Sequence, residues 1–270
     1  MFDYDPSAPL NLIENECQQD GAVLVKDVTY SSPVTGKPIA AYLVTPADAD
    51  HAPAILYVHW YESHSETSNR TQFLAEAKQL ARDHGVISLL PETMWSDVNW
   101  YRQGRTLDSD YEDAIRQVIE LRRGLDVLYS LPEVDPQRVA FVGHDFGAMY
   151  GTLAGAADQR PAAYVLIAGA SNFNNWMLFG IQPDHPGLDE YKAKMEPLAP
   201  ARFVSQLSPA PVLLQMGTDD FYTPVEDIEI YENAAAEPKI TKRYHSDHPM
   251  LLPEIQADRL AFLREKLSLR

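Results

Sequence analysis

The sequence predicts an α/β fold with a mostly parallel central sheet that carries helices on both faces. Short runs rich in β-branched and aliphatic residues alternate along the chain with longer segments of helical period. The runs are apolar throughout, which is typical of parallel strands buried on both faces. Parallel neighbours need a crossover between them, usually a helix, so the alternation favours one sheet built from β–α–β units.

The N-terminal part of the chain predicts antiparallel structure instead. Residues 1–21 are rich in Asp, Glu, Asn and Pro, lack a clear period, and are interpreted as an N-terminal arm on the surface. From residue 22 the pattern becomes strand-like. The runs AVLVKDVTY and IAAYLVT are separated by the turn-rich stretch SSPVTGKP, which predicts an antiparallel hairpin at the edge of the sheet.

The parallel part starts with the run AILYVH over 54–59. A helical pattern over 69–82 and the run VISLL over 86–90 complete a first β–α–β unit. The further predicted elements, in chain order, are a helix over 108–129, a strand over 138–143, a helix over 146–157, strands over 162–169 and 211–216, a helix over 225–235, a strand over 240–244 and a last helix ending near 267. No linker or change of composition divides the chain, so residues 22–270 are predicted to form a single domain.

One connection is too long for this alternation. About 40 residues separate the strand over 162–169 from the next strand, whereas strand-to-helix connections usually have roughly 2–6 residues. One interpretation is a pair of ordinary crossover helices. The other is a short lid within 170–200, whose Phe173, Trp176, Met177 and Phe179 would line a pocket at the carboxyl ends of the strands.

The charge balance restricts the expected partners. The 270 residues include 22 Lys+Arg and 39 Asp+Glu, a formal net charge of −17. Such a surface repels phosphate groups, so neither nucleic acid nor a membrane is expected as a partner. A small-molecule substrate is expected, and the sequence leaves open whether the chain forms a homo-oligomer.

Cysteine content and motifs exclude several kinds of site. Cys17 is the single cysteine, so an intramolecular disulfide and a cysteine-based metal cluster are excluded. No signal-peptide pattern precedes Lys26, and no apolar stretch approaches the roughly 20 residues that span a bilayer, so a cytoplasmic location is expected. G-x-G-x-x-G and G-x-x-x-x-G-K-S/T do not occur, and the short cluster around His245 and His248 lacks metal-ligand spacing. We therefore expect no cofactor and no metal.

The sharpest local feature is the motif Gly143-His144-Asp145-Phe146-Gly147, placed where a predicted strand stops and a helix begins. This is the setting of a nucleophile elbow, a strained turn that presents its central side chain at the top of the sheet. Glycines two residues before and after the centre are required because the turn brings neighbouring atoms too close for a Cβ. The central residue here is Asp145, where such elbows usually carry Ser.

An elbow nucleophile needs an orienting acid and then a histidine later in the chain. Asp219 and Asp220 follow one predicted strand, and His245 and His248 follow the next. We favour Asp220 and His248, because His245 directly abuts its strand. The predicted triad is Asp145, Asp220 and His248.

Backbone N–H groups beside the elbow are expected to stabilise an oxyanion. One belongs to Phe146, the residue after the elbow centre, and the other to Trp60 or Tyr61 in the loop after the first parallel strand. Trp95 and Trp176 follow other strands and are further candidates for substrate contacts. For Trp95, packing in the core is an equally good interpretation.

On these residues the sequence resembles the α/β-hydrolase superfamily, and within it the dienelactone hydrolase-like families. The likeness covers about residues 22–270 and rests on the hairpin, the strand that ends at His59, the elbow GHDFGA, the strand-end pattern GTDDFYTP and the late HSDHPM. Two positions depart from the family: Trp60 replaces a common Gly, and Asp145 replaces the usual Cys or Ser. The pattern GHD-x-GA is similar to the elbows of epoxide hydrolases and of haloalkane or haloacetate dehalogenases.

A carboxylate is already charged at pH 7, so it needs no base to act as a nucleophile. The main functional interpretation is a hydrolase of a small organic halide or epoxide, in which Asp145 forms an alkyl ester and His248 activates the water that hydrolyses it. Tyr61, Trp95 or Trp176 would then hold the leaving group. One alternative is a dienelactone hydrolase-like carboxylic ester or lactone hydrolase, with Asp145 as nucleophile or general base. The other is a binding protein that keeps the fold without catalysis.

Overall fold

The structure is a computed structural model that describes residues 1–269, and over these residues it contains one nine-stranded sheet flanked by helices. The strands are β1 Ile13–Asp20, β2 Val23–Ser31, β3 Pro38–Pro46, β4 Ala52–Val58, β5 Ile87–Pro91, β6 Val134–His144, β7 Ala163–Ile167, β8 Val212–Gly217 and β9 Lys239–Tyr244. The α-helices are α1 Leu74–His84, α2 Asp110–Ser130, α3 Phe146–Ala157, α4 Asn174–Met177, α5 Leu188–Met195, α6 Val225–Ala234 and α7 Pro253–Lys266. No helix within this range is both long and apolar enough to cross a membrane.

The strand order across the sheet is β1-β2-β3-β5-β4-β6-β7-β8-β9. β5, β4, β6, β7, β8 and β9 are parallel to one another, and β1, β2 and β3 add to them in antiparallel pairs. This is the α/β-hydrolase fold, so the predicted fold class is confirmed. Because the parallel strands point the same way, the loops that follow them meet at one edge of the sheet.

The central strands are buried because helices cover both faces of the sheet. Every residue of β4, β5, β7 and β8 is buried. Successive side chains of β4 point to opposite faces: Leu56 packs in a layer with α2, α3 and α6, and Ile55 packs in a layer with α1 and α7. The two apolar layers hold the strand ends, and therefore the loops of the site, in fixed positions.

The N-terminal segment adds a strand that the sequence did not reveal. The predicted hairpin is present, with Val23 of β2 opposite Pro46 of β3. The segment interpreted as a surface arm contains β1, which pairs antiparallel with β2 at the edge of the sheet. All residues of β1 are exposed, so no apolar alternation marks it in the sequence.

The long stretch between β7 and β8 contains α4, α5 and three short 3-10 turns. α4 lies against the elbow, since the ring centroids of Trp176 and Phe146 are 5.5 Å apart. Phe173 and Met177 are buried in the core layer, and Phe179 lies at the surface. The lid within 170–200 remains a prediction.

A buried ion pair ties α1 to α7 on one face of the sheet. Arg259 Nε donates to Glu76 Oε1 at 3.0 Å, and the two side chains are 7% and 6% exposed. Tyr57 Oη donates to the same carboxylate at 3.0 Å, and Arg259 also donates to Gln215 Oε1 at 3.4 Å. Buried charges need such partners because they have lost their hydration. The pair therefore fixes α7, which begins just after the loop that carries His248.

Arg259→Met is expected to lower the free energy of unfolding by about 3–5 kcal/mol, because Glu76 would remain as an uncompensated buried charge. Urea denaturation measures the change. Arg264→Met, at an exposed position of the same helix, is the control and is expected to stay within about 0.5 kcal/mol of the wild type. Equal losses in the two variants would show that the ion pair does not carry the effect.

Candidate active site

The elbow predicted at Asp145 is present at the junction of β6 and α3. Asp145 has φ +58° and ψ −121°, in the left-handed half of φ space that residues with a side chain rarely adopt. Its N–H donates to the carbonyl of Ile167 at 2.9 Å, which holds the strained residue against β7. A Cβ on Gly143 would collide with the backbone of Gly147, and a Cβ on Gly147 would collide with the backbone of Val58. Close backbone packing is therefore the reason for both glycines.

The loops after β8 and β9 bring an acid and a histidine to the elbow. His248 Nδ1 lies 2.7 Å from Asp220 Oδ2, and His248 Nε2 lies 3.8 Å from Asp145 Oδ2. All three side chains are buried, and Asp145 is 0% exposed. Asp219 and His245, the other candidates, form a separate exposed pair 3.8 Å apart. The structure thus brings together the three residues that the sequence favoured.

The imidazole lies between two carboxylates, and this sets its charge. Burial alone lowers the pKa of His248, but the hydrogen bond to Asp220 and the negative charges of Asp145 and Asp220 outweigh burial and raise this pKa to about 9. His248 is therefore an imidazolium at neutral pH. Burial raises the pKa of Asp145, and the neighbouring His248 opposes this rise. The site consists of two carboxylates held around one cation.

The oxyanion loop after β4 presents one backbone donor to Asp145. The N–H of Tyr61 donates to Asp145 Oδ2 at 2.9 Å. The N–H of Trp60 is engaged elsewhere, since it donates to Gln72 Oε1 at 2.8 Å. The N–H of Phe146 also donates toward this carboxylate. The backbone hydrogen bonds from Tyr61 and Phe146 both lower the pKa of Asp145. Of the two residues that the sequence left open, Tyr61 is the one that faces the elbow.

A series of hydrogen bonds connects the loop after β4 to the loop that carries His248. Gln72 Nε2 donates to His144 Nδ1 at 2.5 Å, and His144 Nε2 donates to the backbone carbonyl of His248 at 3.0 Å. Burial holds the pKa of His144 well below its usual value, so the ring is neutral and its Nδ1 accepts. Together with the bond from the Trp60 N–H to Gln72, these hydrogen bonds connect the loop after β4 to the loop after β9. Gln72 and His144 therefore link the two loops that flank Asp145.

Sequence reasoning did not find Gln72 or His144 as part of the site. His144 lies inside the elbow motif, which was the one available signal, whereas Gln72 has no motif around it. His59 holds the same loop from the other side, because its Nδ1 donates to the Trp60 carbonyl at 2.7 Å. Burial lowers the pKa of His59 to about 4, so this ring is a neutral, hydrogen-bonded histidine of the core.

The three predicted donors for a leaving group differ in the structure. Tyr61 Oη donates to the Val98 carbonyl at 2.7 Å, and Trp95 Nε1 donates to the His59 carbonyl at 3.0 Å. Trp95 is fully buried behind the elbow, with its ring 5.6 Å from that of Phe146. Trp176 Nε1 is buried without a hydrogen-bond partner, and its ring lies 4.8 Å from that of His248. Trp176 is therefore the one of these three with a free donor.

Comparisons with known proteins bear on the fold. No family model matches the chain, and no curated protein matches it. Among solved structures, the acetyl xylan esterase from Paenibacillus sp. R4 has a TM-score of 0.76 at 20% identity, covering 96% of this chain and 90% of its own. Acetyl xylan esterase 1 from Thermoanaerobacterium sp. JW/SL YS485 has a TM-score of 0.73 at 16% identity, covering 94% and 87%.

A protein from Klebsiella pneumoniae subsp. pneumoniae MGH 78578, provisionally assigned as a dienelactone hydrolase, has a TM-score of 0.64 at 18% identity, covering 92% of this chain and 99% of its own. At identities this low, the structural likeness establishes a shared fold and nothing more. The comparisons agree with the α/β-hydrolase fold predicted from the sequence, and they leave the role of Asp145 to be argued from the site.

Gln72→Leu is expected to lower kcat by about 10- to 100-fold, because both loops would lose the bond that sets their distance from Asp145. Steady-state kinetics on any accepted substrate measures it, and a KM that changes little separates positioning from binding. Gln137→Leu, at an exposed position of β6, is the control. If kcat is unchanged in Gln72→Leu, the hydrogen bonds through Gln72 and His144 do not position the site.

Proposed function

We propose that this protein is a hydrolase of uncharged carboxylic esters or lactones. The observation that carries the proposal is the buried chain Asp220–His248–Asp145 at a strained elbow. The solved structures with the same fold reported above include two acetyl xylan esterases and a protein assigned as a dienelactone hydrolase, which supports ester hydrolysis over dehalogenation or epoxide opening.

The chemistry differs from that of a serine elbow because a carboxylate is a weak base. If Asp145 attacked an ester carbonyl, the resulting tetrahedral adduct would expel the carboxylate more readily than the alkoxide, so attack would reverse. Water is the better nucleophile here. Asp145, whose pKa is raised by burial, accepts a proton from this water as it attacks.

His248 then acts as the general acid. Its pKa of about 9 keeps a proton on the ring at neutral pH, and Nε2 faces Asp145 with no hydrogen-bond partner of its own. The imidazolium gives this proton to the departing alkoxide, so the products are a carboxylic acid and an alcohol. The proton taken up by Asp145 afterwards returns to His248, which restores the starting state and balances the reaction.

The oxyanion that forms on the substrate carbonyl needs its own donor. The N–H of Tyr61 already donates to Asp145 Oδ2. Trp176 Nε1 has no hydrogen-bond partner, and the Trp176 ring lies 4.8 Å from that of His248. In this proposal Trp176 stabilises the oxyanion.

A second candidate, hydrolysis of an organic halide or epoxide, has one observation in its favour. The Tyr61 N–H lies on the carboxyl group of Asp145 itself. That is where an oxyanion would form if water attacked an alkyl ester of Asp145. In that reaction Asp145 displaces halide or opens the epoxide. His248 gives its proton to the alkoxide of the opened epoxide, or to solvent when halide departs, and the neutral ring then activates the water.

Single turnover in H₂¹⁸O separates the two candidates. For ester hydrolysis with Asp145 as base, the label is expected in the carboxylic acid product and not in the protein. For a covalent Asp145 ester, the label enters the Asp145 carboxyl group, which peptide mass spectrometry detects. His248→Ala is the companion variant, because removal of the histidine would strand a covalent adduct on Asp145. An adduct on Asp145, or label in its carboxyl group, would overturn the assignment of Asp145 as the base.

The pH profile tests the charge assigned to His248. As the general acid it must be protonated, so kcat/KM for an ester is expected to fall as the pH rises through about 9. Asp220→Asn removes one of the carboxylates that raise this pKa, and it is expected to move the alkaline limb to lower pH. Rates corrected for spontaneous hydrolysis measure both. A wild-type rate that rises about tenfold per unit between pH 7 and 9 would instead make His248 a base.

A further inference from the structure

Three exposed aromatic side chains form a continuous surface beside the site, which we call the aromatic platform: Phe179, Phe221 and Tyr222. Phe221 is 77% exposed, Phe179 is 48% exposed and Tyr222 is 40% exposed. Their ring centroids lie 5.4 to 6.2 Å apart, close enough for each ring to contact the other two. Clustered exposed rings cost free energy in water, and such a patch commonly marks a binding site.

The aromatic platform is continuous with the catalytic residues. The Tyr222 ring lies 5.3 Å from the His248 ring and stacks on the Trp176 ring, also at 5.3 Å. Tyr222 is therefore exposed on one side and faces the general acid on the other. A group bound on the platform would lie near the His248 ring, which protonates the leaving alkoxide in the proposed reaction. The proposal therefore places the platform on the leaving-group side.

The same residues that build the site hold the platform in place. Asp220, which orients His248 through Oδ2, accepts from the N–H of Tyr222 at 2.8 Å and of Thr223 at 3.2 Å through Oδ1. On the other side, Tyr101 Oη lies 2.6 Å from the Trp176 carbonyl and 3.0 Å from the Phe179 carbonyl. Both halves of the platform are anchored, which suits a preformed binding surface.

Charge restricts what can bind there. The site holds two carboxylates, Asp145 and Asp220, and one imidazolium, His248, whose ring nitrogens lie 3.8 and 2.7 Å from those carboxylates. The positive charge of His248 is therefore already paired, which disfavours an anionic substrate. The net charge of −17 opposes anions further.

We infer that the aromatic platform binds the alcohol part of the substrate, and that the preferred substrates are uncharged esters of aromatic alcohols, such as benzyl esters. This inference rests on the proposed ester hydrolysis. Aromatic faces favour an aromatic partner over an aliphatic one of equal size, because offset and edge-to-face contacts between rings add to the burial of apolar surface.

The test compares leaving groups of similar reactivity and size. Benzyl acetate and cyclohexylmethyl acetate differ mainly in aromaticity, ethyl acetate lacks the ring, and acetylcholine carries a cation instead. Wild-type kcat/KM is expected to be about tenfold higher for benzyl acetate than for cyclohexylmethyl acetate. In Phe221→Ala and Tyr222→Leu, the ratio of benzyl to ethyl acetate is expected to fall by about tenfold through a higher KM. Ile230→Ala, an exposed residue of α6, is the control and is expected to keep the wild-type ratio.

The possible results decide separately on the platform and on the reaction. If ethyl and benzyl acetate are hydrolysed with ratios that Phe221→Ala does not change, the inference is wrong and the proposed function stands. If acetylcholine is preferred, the platform binds cations and the inference is wrong. If no ester is hydrolysed, the proposed function fails, and calorimetry with benzyl alcohol on wild type and Phe221→Ala still decides whether the platform binds an aromatic ring. If Phe221→Ala converts a dimer to a monomer in sedimentation, the platform is a contact between copies and the inference is overturned.

Discussion

The carboxylate of Asp145 has no contact with solvent, and a buried charge is stable only where neighbouring groups replace its hydration. Here that compensation comes from the imidazolium of His248 and from the backbone N–H of Tyr61. These partners follow β9 and β4, two strands separated by β6, β7 and β8 in the sheet order. The convergence of these loops is therefore a condition for placing a carboxylate at the elbow.

Two histidines with opposite protonation states lie side by side in this arrangement. The rings of His144 and His248 are 5.4 Å apart, and the charge of His248 lowers the pKa of His144 further after burial has lowered it. A neutral His144 accepts from Gln72 and donates to the backbone of His248, whereas a protonated one would have no lone pair for Gln72. The charge on one ring thus maintains the hydrogen-bonding role of the other.

Much of the fold was predictable because its causes are local. Apolar runs alternate with helical segments, and the two elbow glycines are required by backbone contacts that involve few residues. β1 was not predictable, since an uncovered edge strand needs no apolar face. The order along the chain allows Asp219 as well as Asp220, and their different exposure is set by the turn after β8.

The parts of the site that sequence reasoning left open depend on contacts between distant segments. The direction of the Tyr61 N–H follows from a loop held by Gln72 and His59, and neither residue has a sequence pattern that reveals this role. The charge of His248 likewise depends on the carboxylates of Asp220 and Asp145, which lie 28 and 103 residues earlier in the sequence. Local patterns predict the position of a side chain along a strand or turn. They do not predict the charges and hydrogen-bond partners that distant segments place around it.

The change from a hydroxyl to a carboxylate at the elbow reverses the task of the histidine. A serine must lose a proton to react, so its histidine has to be a neutral base. A carboxylate has no proton to lose, and by its charge it keeps His248 protonated. In the proposed reaction, the three positions that activate a serine elsewhere therefore form an acid–base pair, with Asp145 as the base. Such a pair acts on the water and the leaving group together, so the inferred preference for certain alcohols depends on the surface beside His248 as well as on the elbow.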